Sequence, residues 1–353
     1  SSMNQKICKT RGAKGTCTYV AVSEITAANG KAVSESNATA EKTSSSWGSF
    51  ALKQINFLLM LVMGAISIPA NSQVIGDSNA PGNQRPVVLN TASGATQINI
   101  QTPSASGVSV NQYSRFDTTA PTVLNNSRVN INTTTAGMVT ANPYLATGSA
   151  RVIVNQVNGS VAHLNNSLEI AGNRADLVIA APAGIVVNGG SIINASKTTL
   201  TTGAPIINGG SLEGYRVTGG EVSVDGKGFD DSQSDYTNII SRSVKLNAGV
   251  WSKDLTVTAG ANQVAVDGTS TAIAGTGTGT APTYALDSSA LGGMYSQKIT
   301  FQSSERGVGI NNAGTLSASA GNVAITADGL LSNSGSISSN GNRNRTQINT
   351  TAV

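Results

Sequence analysis

Apolar and polar residues alternate along most of this chain, in short runs bounded by Gly, Pro, Asn and Ser. Gln97-Ile98-Asn99-Ile100-Gln101 and Val129-Asn130-Ile131-Asn132 show a period of two, the pattern of strands with one buried and one polar face. Beyond Arg151, strands are predicted at 152–154, 177–179, 185–187, 221–225, 255–258 and 264–266. No window carries apolar residues at i, i+3, i+4 and i+7 over a helical length.

The strands come with a recurrence. Val187-Asn188-Gly189-Gly190-Ser191-Ile192 returns as Ile207-Asn208-Gly209-Gly210-Ser211-Leu212 after 207 − 187 = 20 positions. Asn312-Ala313-Gly314-Thr315-Leu316-Ser317 is echoed by Asn333-Ser334-Gly335-Ser336-Ile337-Ser338 after 333 − 312 = 21. A fixed period near 20 is the mark of a solenoid whose coils stack on one another. The expected fold is all-β, a right-handed parallel β-helix. About ten coils at an interstrand spacing of about 4.8 Å would make a rod roughly 50 Å long. On this reading Asn188 lies below Asn208, Gly189 below Gly209 and Gly190 below Gly210, and Ile192 shares an interior column with Leu212. The open end of such a rod is an exposed sheet edge, and the irregular segment 73–140 is expected to form its N-terminal β cap. Residues 141–305 form the helix proper, with a low-complexity loop excursion near 270–282. Residues 306–353 read as the start of a repeat shaft, truncated at Val353.

Composition narrows the class. Charged residues are only 11% and aromatics 4%, against a usual charged share of about 25%. Disordered chains pair low hydrophobicity with high net charge, whereas Val, Ile and Thr abound here, which favours strands. The net charge of +4 is concentrated at the front. Residues 1–72 hold 7 Lys and Arg and 3 Glu, which leaves 22 − 7 = 15 basic and 18 − 3 = 15 acidic residues. The remainder is neutral, so no basic face for nucleic acid is indicated.

Residues 1–72 read as an extended signal peptide that is removed. The apolar run from Ile55 to Ile66 follows Lys53 and is shorter than the roughly 20 residues a spanning helix needs. Ala70-Asn71-Ser72 offers small residues for cleavage between Ser72 and Gln73. No transmembrane segment is expected in the mature chain. Both cysteines, Cys8 and Cys17, fall inside the removable part, so the mature protein would form no disulfide.

The stretch from Ala80 to Asp117, APGNQRPVVLNTASGATQINIQTPSASGVSVNQYSRFD, resembles the start of the two-partner-secretion domain of filamentous-haemagglutinin-like exoproteins, a group that includes contact-dependent growth inhibition proteins. The likeness continues through NPYLATGSARVIVNQVN and AGNRADLVIAAPAGIVVNGGSIINASKTTLTTG to YALDSSALGGMYSQKITFQSSERGVGINNAGTL. It implies a right-handed β-helical secretion domain at the front of a haemagglutinin, adhesin or inhibition protein. Such a domain passes the inner membrane into the periplasm, where periplasmic domains of an outer-membrane β-barrel transporter recognise it. It then folds outside a Gram-negative cell, secreted or held at the surface. A host or neighbouring bacterial cell surface is a further candidate partner. Asn142-Pro143-Tyr144-Leu145 matches the family's Asn-Pro-X-Leu signature. Ala181-Pro182-Ala183-Gly184-Ile185 stands in place of its Asn-Pro-X-Gly-Ile signature, with Ala181 where Asn is usual. Each motif reads either as a turn between coils, since Asn bonds nearby backbone and Pro fixes φ, or as a transporter contact. The loss of Asn at 181 is expected to deprive the second turn of its side-chain bond. The Cys-X-X-Cys that some relatives carry after it is replaced by Val187-Asn188-Gly189-Gly190.

Some β-helices are polysaccharide lyases or hydrolases, the alternative to be weighed. Such chemistry needs paired carboxylates on a cleft, or a base beside a cation. Asp230, Asp231 and Asp235 form the acidic cluster of the mature chain and read as a solvated loop without the Gly and distal Glu of a calcium loop. His163 lacks a second histidine or a cysteine to make a triad or metal pair. The Gly275-Thr276-Gly277-Thr278-Gly279 run lacks a phosphate-loop lysine. No catalytic residue, cofactor or metal is expected.

Overall fold

The computed structural model describes residues 4–9, 16–21, 73–272 and 277–352. The apolar run from Ile55 to Ile66 and the cleavage residue Ser72 lie outside the described residues. Strands Asn4–Lys9 and Thr16–Ala21 form an antiparallel pair that places Cys8 opposite Cys17 in register.

From Gln73 onward, parallel strands wind through three faces of a β-helix. The first face runs from Val108–Thr118 through Val152–Val157, Ala175–Ala180, Ala195–Thr201, Tyr236–Ser241, Asp254–Ala259, Lys298–Ser303 and Val323–Thr326 to Thr346–Asn349. The second starts at the end of Val108–Thr118 and continues through Ala162–Leu164, Ile185–Val187, Glu221–Val224, Ser243–Leu246, Tyr284–Ser288 and Gly309–Asn312 to Leu331–Asn333. The third climbs from Thr96–Asn99 through Thr122–Asn126, Ser167–Gly172, Gly190–Ile193, Phe229–Asp230, Gly249–Trp251, Gly293–Ser296 and Thr315–Ala318 to Ser336–Ser339.

Alternation along each strand sends every second side chain inward, and in-register pairing stacks like on like. On the first face Ile179, Leu200, Ile239, Val257, Phe301 and Ile325 form one interior column across six rungs, all essentially buried. Each such side chain contributes about 1.5–3 kcal/mol by leaving water. At the lower end Tyr113 and Phe116 pack edge-on, with centroids 4.9 Å apart, and Tyr113 Oη donates to Asn155 Oδ1 at 2.8 Å.

Two strands cover the N-terminal edges. Gln73–Gly76 lies antiparallel on Val108–Thr118, and Val87–Asn90 lies antiparallel on Thr96–Asn99. The helical stack nevertheless starts inside segment 73–140, because Val108–Thr118 and Thr122–Asn126 already pair in parallel with the rungs above.

Two outer layers were not legible in the strand pattern. Strands Ala204–Asn208, Ser211–Arg216, Asn262–Ala265 and Ser270–Ala272 form an antiparallel sheet. Its Tyr215, Val217 and Val264 bury the outward residues Val154, Val178 and Ile240 of the first face. The stretch 270–282, expected as a loop, thus supplies a strand at its start and exposes residues 278–281. The hairpin Ile131–Thr133/Gly137–Val139 covers Val123 and Ala171 on the third face. The buried Glu169 carboxylate pins its tip, accepting from the Thr134 and Thr135 amides at 2.8 and 2.9 Å.

The proposed stacking of Asn188, Gly189 and Gly190 beneath Asn208, Gly209 and Gly210 is overturned. Gly190 pairs with Phe229, and Val187 with Val224, while Asn208 pairs with Ser211 inside the outer hairpin. The second Asn-Gly-Gly-Ser is a hairpin tip, with Gly209 at φ +56° and Gly210 at φ +79°. The first is a corner of the helix, with Gly189 at φ +84°. Asn-Gly serves any tight turn that needs positive φ, so its recurrence did not measure the coil. Ile192 stacks on Leu168, and Leu212 belongs to the outer layer. The other pair does measure it: Asn312 pairs with Asn333 and Leu316 with Ile337.

Candidate functional site

The two signature stretches sit at different corners of the triangle. Asn142 to Leu145 lies on the passage from the third face to the first, and Ala181 to Ile185 on the passage from the first to the second.

At the first, Asn142 is buried (4% exposed), and its side chain is saturated by backbone. Nδ2 donates to the carbonyls of Ile100 at 3.0 Å and Asn125 at 2.8 Å, and Oδ1 accepts the Tyr144 amide at 2.9 Å. Its own amide donates to Ser127 O at 2.8 Å. Asn142 therefore joins three successive segments and sets the turn that Pro143 begins. Leu145 enters the main core at 1% exposure. Pro143 is exposed and Tyr144 half-buried. The neighbouring corners use the same device: Asn126 Nδ2 bonds Ala150 O and Asn173 O, and Asn194 Nδ2, at φ +67°, bonds Ile170 O and Gly172 O. Sequence reasoning singled out Asn142 and missed these two, although Asn126 ends the strand Thr122–Asn126 and Asn194 directly follows Gly190–Ile193.

At the second, Ala181 is fully buried in the main core. The absent Asn bond is not missed, because the Gly184 amide closes the turn onto Ala181 O at 2.9 Å and the Ala181 amide reaches Thr201 O at 2.9 Å. Gly184 adopts φ +126°, and a Cβ there would lie 3.2 Å from Glu221 O. Ile185 is buried, and Pro182 and Ala183 are exposed. In both motifs the end residues build the helix, while Pro143, Pro182 and Ala183 face solvent and Tyr144 is partly exposed.

The acidic cluster is not the solvated loop the sequence implied. Asp231 is fully buried, accepting from the hydroxyls of Thr198 at 2.9 Å, Ser234 at 2.6 Å and Thr237 at 2.5 Å. Burial pushes its carboxyl up to about 6, with the three hydroxyls opposing and Asp230 adding a smaller upward push. Asp230 and Asp235 point outward. Asp235 meets Arg174 at 3.2 Å and Lys253 at 4.0 Å, so the three carboxylates do not converge. His163 lies in a second-face strand, with Nδ1 2.8 Å from Asp117 Oδ1. A groove of about 360 Å³ separates the outer sheet from the first face, where Lys197 is engaged by Asp176 at 3.9 Å and Arg151 by Ser106 O. Among the described residues no helix is long and apolar enough to cross a membrane.

Comparison with known proteins places this geometry. Residues 72–333 match the family model of the TPS secretion domain. The toxin CdiA of Yersinia pestis is 45% identical over 301 residues, covering 82% of this chain and 9% of that protein. The tRNA nuclease CdiA-2 of Burkholderia pseudomallei strain 1026b is 42% identical over 290 residues, again 9% of its length. The chain thus spans about a tenth of these relatives. The crystal structure of the filamentous hemagglutinin secretion domain superposes with a TM-score of 0.65 at 32% identity, covering 79% of this chain and 99% of that one.

Proposed function

The chain belongs to the TPS secretion domain family, and from that premise we propose that it targets a much longer surface protein, of adhesin or contact-dependent inhibition type, for export. The N-terminal leader takes the chain across the inner membrane and is cut between Ser72 and Gln73. An outer-membrane β-barrel then recognises the domain through its periplasmic domains, and the β-helix forms outside the cell. The domain itself performs no catalysis. The observation that carries this reading is the family match over residues 72–333. The relatives support it and not the polysaccharide-active alternative.

The burial pattern of the motifs adds a constraint. Asn142, Leu145, Ala181 and Ile185 are inside the folded helix, so a transporter that reads those side chains does so before the rungs close. Pro143, Tyr144, Pro182 and Ala183 are readable in either state. The test is expression with and without the cognate barrel, followed by assay of the medium. Export should require the barrel; equal amounts outside in both strains would overturn the proposal.

A further inference from the structure

Strands Gly249–Trp251 and Gly293–Ser296 are neighbours on the third face, with Gly249 opposite Gly293, Val250 opposite Met294 and Trp251 opposite Tyr295. Val250 and Met294 fill the core, so alternation turns Trp251 and Tyr295 outward. They are 42% and 37% exposed, in a protein whose aromatics are only 4% of residues. Their rings are parallel within 15°, with centroids 6.0 Å apart.

Glycines make the floor under these rings. A Cβ on Gly249 would lie 2.7 Å from Trp251 Cζ2, one on Gly228 2.7 Å from Trp251 Cζ3, and one on Gly293 2.8 Å from Tyr295 Cε2. The indole lies against two glycine positions and the phenol against a third; the two rings stack with an offset, and each keeps part of its surface in solvent. The rim is polar. Asp230 precedes Trp251 in the same column and Ser317 follows Tyr295, and Lys253 and Gln297 stand two residues beyond each ring.

We propose that Trp251 and Tyr295 form a binding platform for a neutral, hexose-containing glycan laid along the helix axis. An aromatic face is electron-rich and complements the C–H face of a pyranose ring, while the sugar hydroxyls need polar partners at the edge, which Asp230, Ser317 and Gln297 supply. Two rings in a polar rim are far smaller than the roughly 800 Å² per partner of a stable protein interface. The carboxylate in the column disfavours an anionic sugar, and Lys253 already lies 4.0 Å from Asp235. The platform goes beyond the export reading and is independent of it.

The test titrates the whole chain with a panel of neutral oligosaccharides (cello-, malto-, manno- and galacto-series) by calorimetry, and runs it through gels holding the corresponding polysaccharides. At least one series should bind, with little dependence on salt. Trp251→Ala and Tyr295→Ala should each weaken binding roughly tenfold while the chain stays folded with a modestly lower melting temperature, and Trp251→Tyr should restore most of the binding. Gly249→Ala should weaken binding although both rings remain, because its Cβ displaces the indole. Failure of the folded chain to bind any series, or alanine variants that bind like wild type, would overturn the proposal. So would self-association or proline-rich peptide binding that depends on the rings without any glycan binding. Trp251→Ala should still leave the cell through the barrel, so loss of glycan binding and loss of export are separately scored.

Discussion

Asn142 offers the sharpest separation of folding from recognition. Asn142→Ala removes two donated hydrogen bonds, of 3.0 and 2.8 Å, and one accepted bond of 2.9 Å. Each is worth about 1 kcal/mol net, and a buried group left without its partner costs more. The expected loss is roughly 3 kcal/mol, a large share of the 5–15 kcal/mol of a typical domain. Asn142→Asp should be worse, since a carboxylate oxygen would face the Ile100 and Asn125 carbonyls. Leu145→Ala, which empties a core position, should cost about 2–5 kcal/mol. Pro143→Ala and Tyr144→Ala touch the solvent-facing middle of the motif and should stay within about 0.5 kcal/mol.

The assay is chemical denaturation of the purified chain followed by far-ultraviolet circular dichroism, alongside export of the same variants through the barrel. An Asn142→Ala midpoint indistinguishable from wild type would refute the claim that this side chain clamps the corner. The Pro143→Ala/Tyr144→Ala double variant should keep its stability and lose export. If it is exported like wild type, its surface is not what the transporter reads. The recognition role would then be confined to the buried residues acting before folding.

Three other outcomes follow from the same geometry. Asp231 has its folded-state pKa raised from 3.8 to about 6, so its contribution is fully present below pH 3.8 and is lost as pH rises through 6; Asp231→Asn should remove up to roughly 3 kcal/mol of that decline, and an unchanged pH slope between 4 and 8 would refute it. Ile192→Ala should destabilise by about 2–5 kcal/mol and Leu212→Ala by well under half of that in the same unfolding measurement, because Ile192 is a core column residue and Leu212 lies in the half-buried outer layer; equal losses would refute that difference in burial. Glu305→Ala should cost about 3–5 kcal/mol in thermal unfolding, since it strands the nearly buried Arg242, whose Nε and Nη2 both bond that carboxylate; a change under about 1 kcal/mol would show the pair to be solvated in practice.

The helix was legible because its determinants are local. Alternation in Glu221-Val222-Ser223-Val224 or Leu255-Thr256-Val257-Thr258 fixes strand and face together, and Asn312 and Asn333 sit on uninterrupted coils where the sequence period is the structural one. The coil length elsewhere was not legible, because three excursions leave the helix and return. Between Val108 and its partner Val152 the chain makes the hairpin over the third face. Between Thr198 and its partner Thr237 the chain makes the hairpin of the outer sheet. Between Leu255 and its partner Ile299 it adds that sheet's other two strands. Those strands alternate like the rungs do, so pattern alone cannot separate a rung from a cover. What marks them is apolar residues on the outward side of the first face, Val154, Val178 and Ile240. An all-apolar run such as Val152-Ile153-Val154 in an otherwise alternating helix predicts a second layer.

The site was half legible for a related reason. Resemblance located Asn142 to Leu145 and Ala181 to Ile185, yet it could not say which of their residues the fold consumes. Asn142 reads as a surface turn residue until its side-chain amide is seen to donate to Ile100 and Asn125, on two other segments of the chain. Asp231 reads as one of three solvated acids until Phe229 and Thr237 on the flanking strands carry it inside. The aromatic platform did leave a trace that went unread. Gly249-Val250-Trp251 and Gly293-Met294-Tyr295 repeat Gly, core residue, aromatic, and the glycine two places before each outward ring leaves room for that ring to lean back over the strand. On a parallel sheet whose rungs are in register, a repeated Gly-X-aromatic triplet therefore predicts adjacent outward-facing rings.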